Sequence, residues 1–175
     1  MHAARSMSKQ LLLAIVFAMT TIPSHALPED RSQPIRISAD TAVRDDRSRE
    51  TRYEGNVELT QGSLLIKAES IAVSISDDDN QFIVATGSPA VLRQRPSAEE
   101  ALVTATAGRI EYHHDSDLVQ LSEGARVEQD GALIVGERID YLISAQRIQA
   151  DGNSAGNNRV EVVIPPQRLE NEGNL

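Results

Sequence analysis

The 175-residue chain contains no cysteine and no tryptophan. Without cysteine no disulfide can brace the fold, no lipoprotein processing can anchor it, and no Cys–His nucleophile pair is available. Long apolar runs are missing too. The run Leu11 to Met19 is well short of the roughly 20 residues that a membrane-spanning helix needs. Positive charge is scarce: 17 Lys and Arg stand against 26 Asp and Glu, a formal net charge of −9. Nucleic-acid affinity comes mainly from basic contacts with phosphate, and anionic membrane faces attract basic segments, so this balance argues against both partners. Aromatics make up only 3% of the chain, and after residue 26 they are Tyr53, Phe82, Tyr112 and Tyr141. The apolar bulk is therefore Val, Ile, Leu and Ala. Such thin side chains suit a narrow filled core, and they also suit a cleft for something flexible and aliphatic; composition favours the filled core.

Recognisable catalytic patterns are equally sparse. There is no Gly-rich phosphate loop and no serine in a nucleophile-elbow context. Carboxylates alternate with apolar residues, which puts most of them on an outer face, and nothing selects a glycosidase-like pair. His113 and His114 are neighbours on one strand, so they point to opposite faces and cannot easily share a metal. Asp77-Asp78-Asp79-Asn80 reads as a turn, without the spacing of a calcium loop. No enzyme activity, cofactor or metal is expected.

What is present begins with a secretory signal. Arg5 and Lys9 form a basic start, Leu11 to Met19 a short apolar centre, and Ser24-His25-Ala26 a small-residue cleavage site. Cleavage after Ala26 leaves residues 27–166 as one domain and 167–175 as a disordered tail. Loss of Arg5 and Lys9 takes the net charge from −9 to −11. An export signal on a cysteine-free chain suits the periplasm of a Gram-negative cell.

The stretch Gly55 to Val73 carries the fold signal. Val57 and Leu59, then Leu64, Ile66 and Ala68, then Ile71 and Val73 alternate with other residues around the Gln61-Gly62-Ser63 break. A period of two punctuated by a glycine turn means antiparallel strands with one buried face. The unit recurs. Ile37, Ile66, Ala105 and Ile134 fill one apolar slot, at steps of 29, 39 and 29 residues. Ala39, Ala68, Ala107 and Gly136 fill a small slot, and Ala42, Ile71, Ile110 and Ile139 a third. Gly55, Gly87, Gly124 and Gly152 follow in turn. Self-similarity near 30 residues points to supersecondary units that bury a continuous interior. Pro34 opens the first strand and marks it as an edge. Arg44 to Arg52 reads as an exposed hairpin, Asp151 to Asn158 as a turn, and Val160 to Ile164 as the last strand before Pro165-Pro166.

Several segments together resemble the LptA (OstA-like) family of lipopolysaccharide export proteins. They are Gln33 to Asp40, Tyr53 to Val57, Thr60-Gln61-Gly62, Ile66 to Glu69, Gly87 with Pro89-Ala90, the Tyr112 strand and Val162 to Pro165. The resemblance covers about Gln33 to Pro166. It implies an all-β fold, an antiparallel β-jelly roll of short strands in two facing sheets, slightly open along one side. It also implies a non-enzymatic periplasmic bridge that shields lipopolysaccharide acyl chains between its sheets. Its expected partners are lipopolysaccharide, further copies stacked head to tail, an inner-membrane export complex and an outer-membrane assembly barrel.

Strand parity and resemblance together give an expected lipid-facing wall. It comprises Ile35, Ile37, Val57, Leu59, Leu64, Ile66, Ala68, Ile71, Val73, Phe82, Val84, Leu92, Ala105, Tyr112, Val119, Leu121 and Tyr141, with Ile35, Ile37, Leu92 and Tyr112 foremost. Pro34 and Arg36 are expected at one stacking edge, and Val160, Val162 and Ile164 at the other. The chain is more acidic and poorer in aromatics than the family leads one to expect, and Leu92 stands where a larger groove residue is expected. Two other readings compete: a secreted β-solenoid acting on polysaccharide, and a ligand-free structural subunit of a cell-surface assembly.

Overall fold

The computed structural model describes residues 30–76, 80–152 and 159–166. The expected signal peptide and tail lie outside them, as do Asp77 to Asp79 and most of the turn after Asp151. Among the described residues, a 3₁₀ turn at Asp30–Ser32 precedes ten strands. These are β1 (Arg36–Ser38), β2 (Thr41–Asp45), β3 (Glu50–Gln61), β4 (Leu64–Ile75), β5 (Gln81–Gln94), β6 (Val103–His113), β7 (Leu118–Gln129), β8 (Ala132–Leu142), β9 (Arg147–Asp151) and β10 (Glu161–Val163). All pair antiparallel in one sheet of order β1-β3-β4-β5-β6-β7-β8-β10, with β2 also on β3 and β9 also on β8.

The long strands β3 to β7 are each interrupted near the middle. The register breaks between Glu54 and Val57 in β3, Lys67 and Ser70 in β4, Thr86 and Ala90 in β5, Thr106 and Arg109 in β6, and Ser122 and Ala125 in β7. Bulges bend a strand and strengthen its twist, and here they line up from strand to strand. The chain reaches positive φ at this line, with Asn56 at 47° after Gly55 at 78°, and Glu123 at 66° before Gly124 at 80°. Glycine takes that conformation without steric cost. The line is a crease, and the sheet folds over it into two leaves.

One leaf holds β1, the second half of β3, the first half of β4, the second half of β5 and so on to β10. The other holds β2, the complementary halves and β9. At Asp40 the first strand itself crosses the crease, where its N–H donates to the Gly55 carbonyl at 2.9 Å. The inner faces bury one continuous core from both leaves, including Leu59, Ile66 and Leu92 on one side and Ile71, Ile83, Ile110, Leu121 and Ile139 on the other. This is a β-jelly roll made from a folded, unclosed sheet.

The repeat slots have structural meaning. Ile37, Ile66, Ala105 and Ile134 sit on alternate strands of the first leaf, and Ile71, Ile110 and Ile139 sit just across the crease on the same strands. The small slot lies at the crease, where the leaves converge. A Cβ on Gly136 would lie 3.1 Å from the Asp151 carbonyl oxygen. Gly55, Gly87 and Gly124 mark the crease on the returning strands.

Candidate functional site: the slot between the leaves

In cross-section the interior is graded. Against the crease lie Val57, Ala68, Ala90, Ala107, Ala125 and Gly136, opposed in pairs across neighbouring strands. The next row runs Ile37–Leu59–Ile66–Leu92–Ala105–Val127–Ile134–Val162, each residue opposite the next across one strand pair. Directly opposed residues share a face, so this row is one aliphatic stripe from the first edge strand to the last. Its middle members are buried. Ile37 and Ile134 are only partly buried, and Val162 is 55% exposed. The second leaf answers with Tyr53–Ile71–Ala85–Ile110–Leu121–Ile139–Ala150 and Val73–Ile83–Tyr112–Val119–Tyr141–Ile148.

Opposite the crease, the strand ends of the two leaves meet at a mouth. Gln61, Gln94 and Asp117 are the buried polar residues of the described chain, and all lie here. The Tyr141 hydroxyl donates to Gln94 Oε1 at 3.0 Å, and the Tyr112 hydroxyl faces Gln61 Oε1 at 3.4 Å and Asp117 Oδ1 at 3.5 Å. Gln61 Nε2 lies 3.0 Å from His114 Nε2, and Gln146 Nε2 donates to Glu100 Oε2 at 2.6 Å. Apart from Tyr112–Asp117, which lies within one hairpin, these contacts join one leaf to the other. The 3₁₀ turn straps the mouth on one side: the Asp30 carboxylate accepts from Ser63 N–H and Oγ at 2.6 Å and from Gln94 Nε2 at 3.2 Å. Burial, followed by the charges of Asp117, Glu100 and Asp30, pushes the Tyr141 phenol up to about 12.

The structure brings most of the sequence-expected wall together. Val57, Leu59, Ile66, Leu92, Ala105, Tyr112, Leu121 and Tyr141 are buried between the leaves, while Ile35, Ile37, Ala68 and Val73 pack on the margin of that core. Phe82 and Val84 are corrections. Counting back from Leu92 in steps of two reaches them, but the bulge at 87–89 shifts the face. Ile83 and Ala85 point inward, while Phe82 lies on the outer face, its ring centroid 4.8 Å from that of His113. A one-residue change of register turns every side chain over.

Pro34 and Arg36 are exposed beside and on β1, at one end of the sheet. Val160, Val162 and Ile164 are exposed on and beside β10, at the other. The two histidines do diverge, His113 outward against Phe82 and His114 into the mouth. Sequence reasoning missed the polar mouth. Its only trace is that Gln61 and Gln94 each stand two residues beyond a buried leucine, in step with the inward face.

The family model described as "LptA/(LptD N-terminal domain) LPS transport protein" matches residues 36–147, from the first residue of β1 to the first of β9. The chain belongs to this family. Among its relatives is the Pseudomonas aeruginosa lipopolysaccharide export system protein LptH, 32% identical over 132 residues, covering 75% of each chain. The Escherichia coli K12 protein LptA is 30% identical over 142 residues, covering 80% of this chain and 76% of its own length. The crystal structure of LptH, described as the LptA-homologous periplasmic component of a lipopolysaccharide transport device, superposes with a TM-score of 0.74 at 30% identity. The match covers 79% of this chain and all of that one. The β-jelly roll read from the family resemblance is therefore this chain's fold.

Proposed function

We propose that this chain is a periplasmic lipopolysaccharide-binding bridge that carries lipopolysaccharide from the inner to the outer membrane. The observation that carries this reading is the aliphatic stripe from Ile37 to Val162, which runs across the whole sheet and is uncovered at its last strand. A sealed core would end its apolar rows before the edges. A conduit continued by a neighbour leaves them open. Each methylene kept from water is worth roughly 0.8 kcal/mol, so a twelve-carbon chain in transit needs on the order of 10 kcal/mol of shielding. Ile, Val, Leu and Ala are suited to it, because acyl chains are flexible and offer no planar face for stacking.

The edges suit the same role. β1 with β2 and β9 with β10 end the sheet on opposite sides. Unpaired strand edges with exposed apolar side chains recruit further strands, and Ile164 is 78% exposed beside β10. Pairing of β10 of one copy with the β1 edge of the next is head to tail, so it extends instead of closing a ring. Related domains of an inner-membrane export complex and an outer-membrane assembly barrel would cap the two ends. The mechanism is shielding and handover, with no bond made or broken in the lipid.

The test combines binding and assembly. Ile37→Asp is expected to weaken binding of purified lipopolysaccharide, and light scattering is expected to show oligomers that grow with concentration. Undiminished binding removes Ile37 from the wall. A strict monomer at every concentration ends the stacking proposal.

A further inference from the structure

The two ends of the slot are lined differently. Where the sheet ends at β9 and β10, the three inward rows beyond the crease finish on aliphatic residues, Ile148, Ala150 and Val162. At the β1 and β2 end the stripe finishes on Ile37 and the second row on Ala42, but the third finishes on Thr51 and then Arg44. Strand parity therefore puts a guanidinium on the inner face at this end and not at the other. Thr51 is directly opposite Arg44, and Tyr53 is diagonal to it on the same face, so both are within reach of a long side chain. The Tyr53 phenol also lies within electrostatic reach of the Arg44 charge.

Little in the fold needs Arg44. Its side chain is 70% exposed, and its pair with Asp46 at 2.6 Å is a surface ion pair of the kind that contributes little to stability. That pair engages Nε, so the terminal Nη groups keep their donors. The Thr51 and Tyr53 hydroxyls add two more. The hairpin around them is locally cationic: from Arg44 to Arg52, four Arg stand against Asp45, Asp46 and Glu50, in a chain whose net charge is −9. A planar guanidinium fork flanked by hydroxyls is a donor set that suits a phosphate group. Hydrocarbon gains nothing from it.

We propose that Arg44, Thr51 and Tyr53 form a phosphate subsite at the β2 end of the slot, which holds the phosphorylated head of the carried lipid when its acyl chains reach that end. The proposal rests on the lipid-carrying reading above and adds what is recognised besides hydrocarbon. Burial of apolar surface is non-directional, so acyl chains alone have no preferred resting place along the stripe. A charged contact once per copy supplies one.

Two ligands separate the charge from the hydrocarbon: lipid A with its phosphates, and the same lipid A after phosphatase treatment. In the full chain, Arg44→Gln is expected to weaken binding of the phosphorylated lipid by about three- to tenfold and to leave binding of the dephosphorylated lipid unchanged. Arg44→Lys, which keeps the charge but not the fork, is expected to recover part of the loss. Thr51→Val and Tyr53→Phe are expected to give smaller losses with the same selectivity. A variant that disturbs folding or stacking weakens both lipids alike. Equal weakening of the two, or no weakening of either, overturns the phosphate subsite and leaves the carrier reading standing. Failure of the unmodified chain to bind either lipid overturns both. Inorganic phosphate without lipid is expected to leave the NMR signal of Arg44 Nε in place; a shift of that signal makes the site one for free phosphate and overturns the lipid assignment.

Discussion

The crease and the mouth bound the same interior and are built from opposite materials. The crease is backbone: bulges in register, residues at positive φ, and alanines and glycines that let the leaves converge. The mouth is side chain: two glutamines, two tyrosines, a histidine and the aspartate strap. Backbone geometry is set once, on folding, and cannot be released without breaking strands. Side-chain hydrogen bonds contribute about 0.5–1.5 kcal/mol each and can be traded for water one at a time. The difference teaches that the crease fixes the shape of the slot, while the mouth is held by side-chain contacts that join leaves distant in sequence.

Substitutions sort by which side they touch. Leu92→Ala removes bulk from the middle of the stripe, which both sides share. It is expected to cost about 2–5 kcal/mol in denaturant unfolding, with lipid binding weakened as well; an unchanged midpoint would mean that the leaves do not pack on Leu92. Gly55→Val strikes the crease alone. A β-branched residue at φ 78°, with its Cβ driven into the Asp40 carboxylate, is expected to cost about 1–3 kcal/mol in denaturant unfolding. An unchanged unfolding midpoint would mean that the crease does not need glycine at this position.

Gln94→Leu strikes the mouth alone and strips partners from Tyr141 and Asp30. A loss of about 1 kcal/mol is expected in denaturant unfolding. An unchanged unfolding midpoint would mean that the Gln94 contacts do not help to hold the leaves together. Tyr141→Phe sharpens the same point through pH. The folded phenol titrates at about 12, above its ordinary value of 10. Folding therefore favours the protonated form, and stability falls as pH rises from 10 towards about 12. The phenylalanine variant is expected to lose that part of the fall; an identical alkaline profile would mean that Tyr141 is not held by burial. The smallest effect is expected on neither side. Arg138→Ala removes an outer-face pair with Asp140 at 3.0 Å, its side chain half exposed, and is expected to cost less than about 1 kcal/mol.

Much of this architecture was legible because strand parity and the repeat obey sterics. The slots at Ile37, Ile66, Ala105 and Ile134 recur because alternate strands present the same depth of the slot. The small slot and the glycines recur because each strand must cross the crease. Parity failed at Phe82 and Val84 because a bulge adds residues without announcing which face follows, and Gly87-Ser88-Pro89 reads equally well as a bend or a strand end. The mouth was illegible for another reason. Gln61 and Gln94 are residue types that ordinarily face water, and only the meeting of two leaves distant in sequence buries them. Which residues touch lipid is a question of occupancy, and neither period nor propensity encodes it.

The most direct measurement of the central claim is site-resolved photo-crosslinking to lipopolysaccharide from two positions on opposite faces. A benzoyl-phenylalanine at Ile37, at the inner margin of the stripe, is compared with one at Phe82 on the outer face beside His113. The account predicts adducts from position 37 and none from position 82. Equal labelling at both positions, or labelling at 82 alone, would contradict it.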